Sequence, residues 1–439
     1  MWKTLVEAFK MKDVRSKILW TLLLLLIYRI GCFIPIPGID PTVFKIENGV
    51  NNNSFGEATS FLGLLSSLSG GALSNGAILA LGVGPYITSS IVIQLLTIAI
   101  PALERLSKQG NEGRQKIAVI TRYVALALGL AQAIAIVISL SGTGSLNGNL
   151  GFPPFLTAAI TVLTLVAGAM FTVFIGDKIT EKGVSNGMSM LIFVGILSTG
   201  VGAFYQSIVE VFSDASRIVT PIVFIVTLIV IFALIVWVDL AERRIPVTYA
   251  KQVKGNKMYG GQTANIPIKV NATGVMPIIF AFSIINFPQL IMSIFWPSSP
   301  AYAWFSKYLG TGAWVNIVVT SLLILGFTYF YATLSFNPED VSRQIQQNGG
   351  FILGYRPGKP TTQYLRKVSH RITLFGALFL MFMALVPAVI FKAIPAISSS
   401  GLISAFTATG MLIIVSVALE FDKQLQAQMM MKTYKGFLK

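Results

Sequence analysis

The stretch GYRPGKP, Gly354–Pro360, has the glycine and lysine content of a phosphate-binding loop. Such a loop, G-x-x-x-x-G-K-[ST], cradles phosphate on backbone N–H groups and sets the lysine on it. Here Gly354 lies four residues before Gly358, one too few, and Pro360 follows the lysine where Ser or Thr is required. His370, the sole histidine, sits beside Arg371 in a basic stretch that suits a solvated or packed role better than catalysis. Cys32, the sole cysteine, lies in an apolar run and reads as a small buried residue rather than a nucleophile. A single cysteine also excludes an internal disulfide and any multi-cysteine metal site. The chain therefore reads as no enzyme, with no cofactor and no metal, and any work it performs draws on a partner or a gradient.

The elements around these residues are hydrophobic. Apolar residues make up 54% of the 439 positions, charged residues 11%, and the mean hydropathy is +0.73. A soluble domain carries about 25% charged residues, so the composition specifies a polytopic membrane protein. Ten apolar runs, each long enough to cross a bilayer, lie near 18–34, 76–100, 117–139, 153–175, 187–209, 218–238, 275–296, 314–334, 372–391 and 402–419. Ahead of them, Trp2, Leu5, Val6 and Phe9 at helical spacing, with Lys3, Lys10 and Lys12 nearby, read as a short interfacial helix within 1–17.

Ten crossings put both termini on one side. Of the 33 Lys and Arg, 28 fall in the two termini, the connections after runs two, four, six and eight, and the adjoining run ends; the others are Arg29, Lys45, Arg217, Lys307 and Lys392. The positive-inside rule then places both termini in the cytoplasm. Two of those cytoplasmic connections are long, 239–271 and 335–371, and mix Pro, Gly and aromatic residues with Arg and Lys. Long loops of that composition are ordered and functional, and a large partner is expected to dock there.

All 17 acidic residues fall in loops, tails or run ends, and Arg29, near the outer end of the first run, is placed to snorkel. An ion-coupled transporter usually carries an intramembrane carboxylate or histidine as its relay, and none is present, which leaves such a transporter a sodium site built from backbone carbonyls. A small-solute transporter keeps only the span count and the Gly/Pro-broken GVGP in its favour; a membrane scaffold without transport is the third reading. One segment fits no simple span: Phe61–Leu73 is apolar but thirteen residues long, ending in Gly70, Gly71, Ser74, Asn75 and Gly76. As a helix it would reach about 20 Å across a core of about 30 Å.

Six stretches carry a resemblance: LSGGALSNGAILALGVGPYITSSIVIQLL (68–96), GRQKIAVITRY (113–123), GDKITEKGVSNGMSMLIFVGI (176–196), ERRIPVTYAKQ (242–252), IPIKVNATGVMPIIFA (266–281) and FNPEDVSRQIQQNGGFILGYRPGKPT (336–361). They resemble the SecY/Sec61 alpha family of bacterial protein translocase subunits almost from end to end. The chain departs from the family at Leu353 and Tyr355, where Pro and Ile are usual, and in TATGMLIIVSVALE (407–420) at the last run.

The resemblance implies an all-α polytopic fold of ten transmembrane helices in two pseudo-symmetric five-helix halves, 18–211 and 212–419, around an hourglass pore, with a cytoplasmic tail at 420–439. It implies a channel in the bacterial plasma membrane that passes unfolded preprotein and releases signal sequences and membrane segments sideways into the lipid bilayer. A collar of aliphatic residues would close the pore: Val83, Ile87, Ile192, Ile196, Ile279 and Ile413. The i, i+4 spacing of the first two pairs puts both members on one helix face. The half-length segment becomes a plug helix over 61–75, carried by Phe61, Leu64, Leu65, Ser66, Leu68, Gly70, Gly71 and Leu73. A lateral gate would use the in-span polar residues Ser89, Ser90, Gln94, Gln132 and Asn286, their amides facing one another or the aqueous cavity. Arg243, Arg244 and Arg356 would engage the ribosome, through RNA phosphate, and the SecA motor ATPase; SecE and SecG would complete the assembly. Guanidinium suits both contacts because it grips phosphate and carboxylate bidentately.

Overall fold

The computed structural model describes residues 2–37, 69–142, 153–213, 219–249, 252–254, 257–259, 263–271, 273–274, 276–295, 299–309, 313–393 and 408–436. In chain order the helices are α1 (Trp2–Lys10), α2 (Lys12–Gly31), α3 (Gly84–Ala99), α4 (Pro101–Lys108), α5 (Asn111–Gly142), α6 (Pro154–Lys182), α7 (Gly187–Ser213) and α8 (Val219–Leu240). Strands β1 (Glu242–Tyr249), β2 (Gln252–Lys254), β3 (Lys257–Tyr259) and β4 (Thr263–Lys269) follow. Then come α9 (Met276–Phe295), α10 (Pro300–Leu309), α11 (Trp314–Ser335), α12 (Pro338–Gln347), β5 (Gly350–Phe351), α13 (Lys359–Ala393) and α14 (Ala408–Gly436).

A helix lies on each of the ten apolar runs. Among the described residues, five helices are long and apolar enough to cross a membrane, six if α3 and α4 count as one bent span. That pair turns by 101° at Ile100, whose extended backbone (φ −106°, ψ 112°) is the conformation a following proline enforces. Leu22, Leu23, Leu26 and Ile30 of α2 point outward, as side chains against lipid tails do.

The expected second span starts late. Residues 69–83 form a run of turns, and the helix begins only at Gly84, with Val83 as its N-cap. Gly70, Gly71, Gly76 and Gly82 hold φ of 72°, 80°, 58° and 51°, a left-handed backbone that a continuing helix cannot accept. The described end of the expected plug, 69–75, therefore belongs to these turns rather than to a helix, and residues 61–68 lie outside the described set. A second difference is the tail: α14 continues unbroken past residue 420 to Gly436.

The structure divides into two compact units, Met1–Val223 with Asn286–Ala313 and Ile394–Lys439, and Phe224–Ile285 with Trp314–Ala393. In the first, Ile36, Leu73, Ala80, Leu81, Ala133, Ile136, Val137, Leu165 and Ala169 make one buried cluster. The turn run thus shares a core with α5 and α6. Gly168 of α6 is required there, because a Cβ would overlap the Ile78 carbonyl oxygen. Arg122, inside the third apolar run, is neutralised by Asp177 of α6 at 2.8 Å. A separate cluster joins Ala8, Val14, Ile18, Val184 and Leu425, so that α1, α2, the α6–α7 turn and the far end of α14 pack together.

The second unit adds strands to the helical architecture. β1 pairs antiparallel with β4, Ile245 opposite Ile266 and Val247 opposite Ala264, and with β5, Tyr249 opposite Gly350. The three-stranded order is β4-β1-β5, and β2 and β3 form a separate hairpin. The two long connections are therefore stitched into one sheet. Its covered face packs Ile245, Val247 and Ile268 onto Ile345 of α12, Ile352 and Leu365 of α13. The alternation of exposed and buried residues along β1 is what a half-covered sheet requires. The Asn271 amide donates to Asp239 Oδ1 (3.1 Å) and Val270 N–H to the Ala241 carbonyl (3.0 Å), closing the base of the first connection.

Candidate functional site

The turn run is held from the last turn of α2. The Arg29 guanidinium donates through Nη1 to the Gly70 carbonyl at 2.6 Å. The Tyr28 hydroxyl donates to the Ser69 carbonyl at 3.2 Å, and the Cys32 thiol meets the same oxygen at 3.6 Å. Below this, Ile36 N–H donates to Gly76 and Ile78 N–H to Ile34, at 2.8 and 2.9 Å. Irregular backbone at membrane depth survives only when its polar groups are satisfied and covered, and these bonds do both. Arg29 thus differs from the snorkelling expectation: its charge turns inward to a backbone acceptor and lies 4.9 Å from the Phe33 ring centroid. On the opposite side Gly70 abuts α7. A Cβ at Gly70 would lie 3.1 Å from Gly195 Cα, and one at Gly71 3.5 Å from the Thr199 methyl.

That contact sets the glycine pair beside Ile196, one of the expected collar residues. Val83, Ile192, Ile196 and Ile413 are 1%, 7%, 1% and 2% exposed, so all four pack inside the first unit instead of facing lipid. Ile87, half-buried, follows one turn after Val83 and donates its N–H to the Val83 carbonyl at 3.0 Å. The pair shares a helical turn although Val83 precedes the helix proper. Ile279 belongs to the second unit, half-buried on α9 beside Phe280, whose ring contacts Phe327 and Tyr331 at centroid distances of 5.4 and 4.8 Å. Of the plug candidates, Gly70, Gly71 and Leu73 are buried in the turn run, while Phe61, Leu64, Leu65, Ser66 and Leu68 lie outside the described residues.

The expected gate residues occupy different environments. Ser89 is fully buried and its hydroxyl bonds back to the Tyr86 carbonyl at 2.8 Å, while Ser90 is half-buried. Gln94 is exposed on α3, whereas Gln132 is buried on α5, its Oε1 unpartnered among the described residues. The side chain of Asn286 lies outside the described set.

Arg243 and Arg244 stand at the start of β1, opposite Ile268 and Pro267 of β4, exposed, Arg244 Nε bonding Glu242 Oε1 at 2.8 Å. Arg356 is exposed on a tight turn between β5 and α13. Gly354 and Gly358 supply its left-handed corners, φ 85° and 101°. The Thr361 hydroxyl donates to the Arg356 carbonyl at 2.8 Å and the Ser342 hydroxyl to the Gly358 carbonyl at 3.1 Å. Tyr355 stacks on Tyr364 at 4.2 Å. The turn is thus braced on its backbone, leaving the Arg356 guanidinium in solvent. Sequence reasoning missed the clamp of Tyr28, Arg29 and Cys32, and missed the joining of the two connections. Only the alternation Ile245/Val247 and Ile266/Ile268 signals the latter.

Solved structures share this architecture. One described as a protein conducting channel aligns with a TM-score of 0.67 at 19% identity, covering 94% of this chain and 92% of that chain. Another, at 0.65 with the same identity and coverage, concerns a SecY plug domain that stabilises the closed state of its translocation channel and maintains a membrane seal. Sec61 in the canine ribosome-channel complex from the endoplasmic reticulum gives 0.62 at 18%, covering 94% and 92%. The fold is that of the helical protein-conducting channels. The SecY family model matches residues 77–421. Protein translocase subunits SecY from Mycobacterium bovis and Halalkalibacterium halodurans are 39% and 37% identical, each over the full length of both chains. The chain belongs to the SecY family.

Proposed function

We propose that this protein is the pore-forming subunit of a protein translocation channel. It passes unfolded polypeptide across the bacterial plasma membrane and releases signal sequences and membrane segments sideways into lipid. The observation that carries the reading is the full-length identity of 37–39% to protein translocase subunits. A polypeptide channel must admit nearly any side chain while stopping ions and water. A narrow aliphatic collar does this by dewetting when empty, with no hydrogen bond to satisfy when filled. Val83, Ile87, Ile192, Ile196, Ile279 and Ile413 are assigned to that collar. The 61–75 segment is its plug, and the two halves are 18–211 and 212–419. Ser89, Ser90, Gln94, Gln132 and Asn286 belong to the sideways exit. The 28 basic residues at the termini, the even-numbered connections and the adjoining run ends place those segments in the cytoplasm. The ribosome and the motor ATPase SecA dock there on Arg243, Arg244 and Arg356, and SecE and SecG complete the complex.

The test is reconstitution in vesicles with SecE, SecG, SecA, ATP and an unfolded preprotein. Protected preprotein should accumulate, and Arg356→Glu should reduce it severalfold while leaving the fold intact. Uptake of a small solute against a gradient without any partner would replace the channel with a transporter. Deleting 66–73 should raise resting ion conductance while translocation continues.

A further inference from the structure

We propose that Arg29 is the latch of the resting channel, a positioning residue that seats the 69–71 turn against α7 at the level of the collar. The inference rests on the plug reading above and names the group that holds the plug's described end.

Three side chains from consecutive turns of one helix end converge on two successive carbonyls. Tyr28 and Cys32 share the Ser69 oxygen, and Arg29 takes Gly70 at 2.6 Å. A guanidinium inside a span is costly unless it is fully engaged. Among the described residues Arg29 meets a backbone oxygen, the Cys32 thiol and the Phe33 ring, and no carboxylate pairs with it there. A neutral acceptor holds an arginine less firmly than a carboxylate does. The contact is thus strong enough to seat a segment and weak enough to be given up. The acceptor belongs to the one glycine pair in the turn run, where left-handed φ at both residues concentrates the backbone's freedom. A Cβ at Gly70 would sit 2.9 Å from Arg29 Nη1 and 3.1 Å from Gly195 Cα. The glycine is held between the guanidinium and the backbone that carries Ile196.

The chain supplies its own reporter. Cys32 is its only cysteine and is fully buried beside the Ser69 carbonyl, so unseating the turn uncovers the thiol. In the reconstituted complex, Arg29→Gln should raise both the rate of Cys32 labelling by a water-soluble maleimide and the resting ion conductance. The expected rise is about tenfold, the factor for one lost charge-assisted hydrogen bond. Arg29→Lys should restore part of the seal. Gly70→Ala should leak with Arg29 intact, and it decides the matter if Arg29→Gln does not fold. In a chain lacking 66–73, Arg29→Gln should add nothing to conductance. If the deletion leaks but Arg29→Gln and Gly70→Ala label and conduct like the parent, the latch is refuted and the plug stands. If the deletion does not leak, the plug reading fails and takes the latch with it.

Discussion

The turn run at 69–83 and the strands at 242–269 and 350–351 both break a helical chain, and they are stabilised by opposite means. The turn run has no ladder: its polar backbone is met by side chains of α2, by two bonds to the segment after α2 and by bonds within the turns, while Gly70 fits against Gly195 and the Ile78 carbonyl against Gly168. The strands satisfy their backbone by pairing with one another and leave half their side chains exposed, the arginines among them. The first arrangement serves a segment enclosed at membrane depth, where no water is available to any loose N–H or C=O. The second leaves one face of the strands exposed, its arginines among the exposed side chains. Both regions bury an apolar face, and they differ in how the backbone is satisfied: by side chains and turns in one, by strand pairing in the other.

Four substitutions probe that contrast, beginning with the largest expected effect. Val247→Asp sets an unpaired carboxylate in the covered face of the sheet, a loss of about 3–5 kcal/mol. Limited proteolysis should then open 242–271 while α2 and α7 stay protected; simultaneous loss of both would show that the regions are not independent. Gly168→Ala drives a methyl into the Ile78 carbonyl, and overpacking against backbone costs about 3 kcal/mol or more. It should lower the melting temperature of detergent-solubilised protein and leave the sheet resistant to protease. Ser342→Ala removes the donor to Gly358, worth about 1 kcal/mol. It should loosen the Arg356 turn, read as faster amide exchange at 354–358, without changing Cys32 labelling. Glu104→Gln is the floor. Lys108, at 2.6 Å, holds the Glu104 carboxyl below its usual range. A lowered folded value gives stability present above the ordinary carboxylate range and lost as pH falls through the lowered value. The pair is exposed, however, and solvent screening leaves little of it, so melting curves of parent and variant should superimpose at pH 7.

The helices were legible because a bilayer demands long apolar runs, and every run drew a helix. The start of α3 was not. Ala77–Leu81 is as apolar as any span, and only the glycine conformations and the contact of Ile78 with α6 reveal that it is not helical. Arg29 was misjudged for a related reason: its partner is a main-chain oxygen 41 residues away, and a carbonyl has no signature in the sequence. The alternation in β1 was readable, yet its pairing of Tyr249 with Gly350 joins segments a hundred positions apart, beyond any local pattern. Gln94 and Gln132, alike as buried amides by span position, separate on the structure into an exposed and a buried residue, because span membership does not tell which face meets the protein.

The cluster of Ala8, Val14, Ile18, Val184 and Leu425 bears on the order of biosynthesis. Residues near the start of the sequence are completed by a residue from its far end, and Lys17 bonds Gln428 across 411 positions. Contacts of such separation form late, since the intervening loop must close first. The first unit therefore waits, unfinished, while the second is being made. A helix made late acts as a keystone for helices made long before it, and shortening α14 by its final turns should make α1 and α2 the segments that quality-control proteases reach.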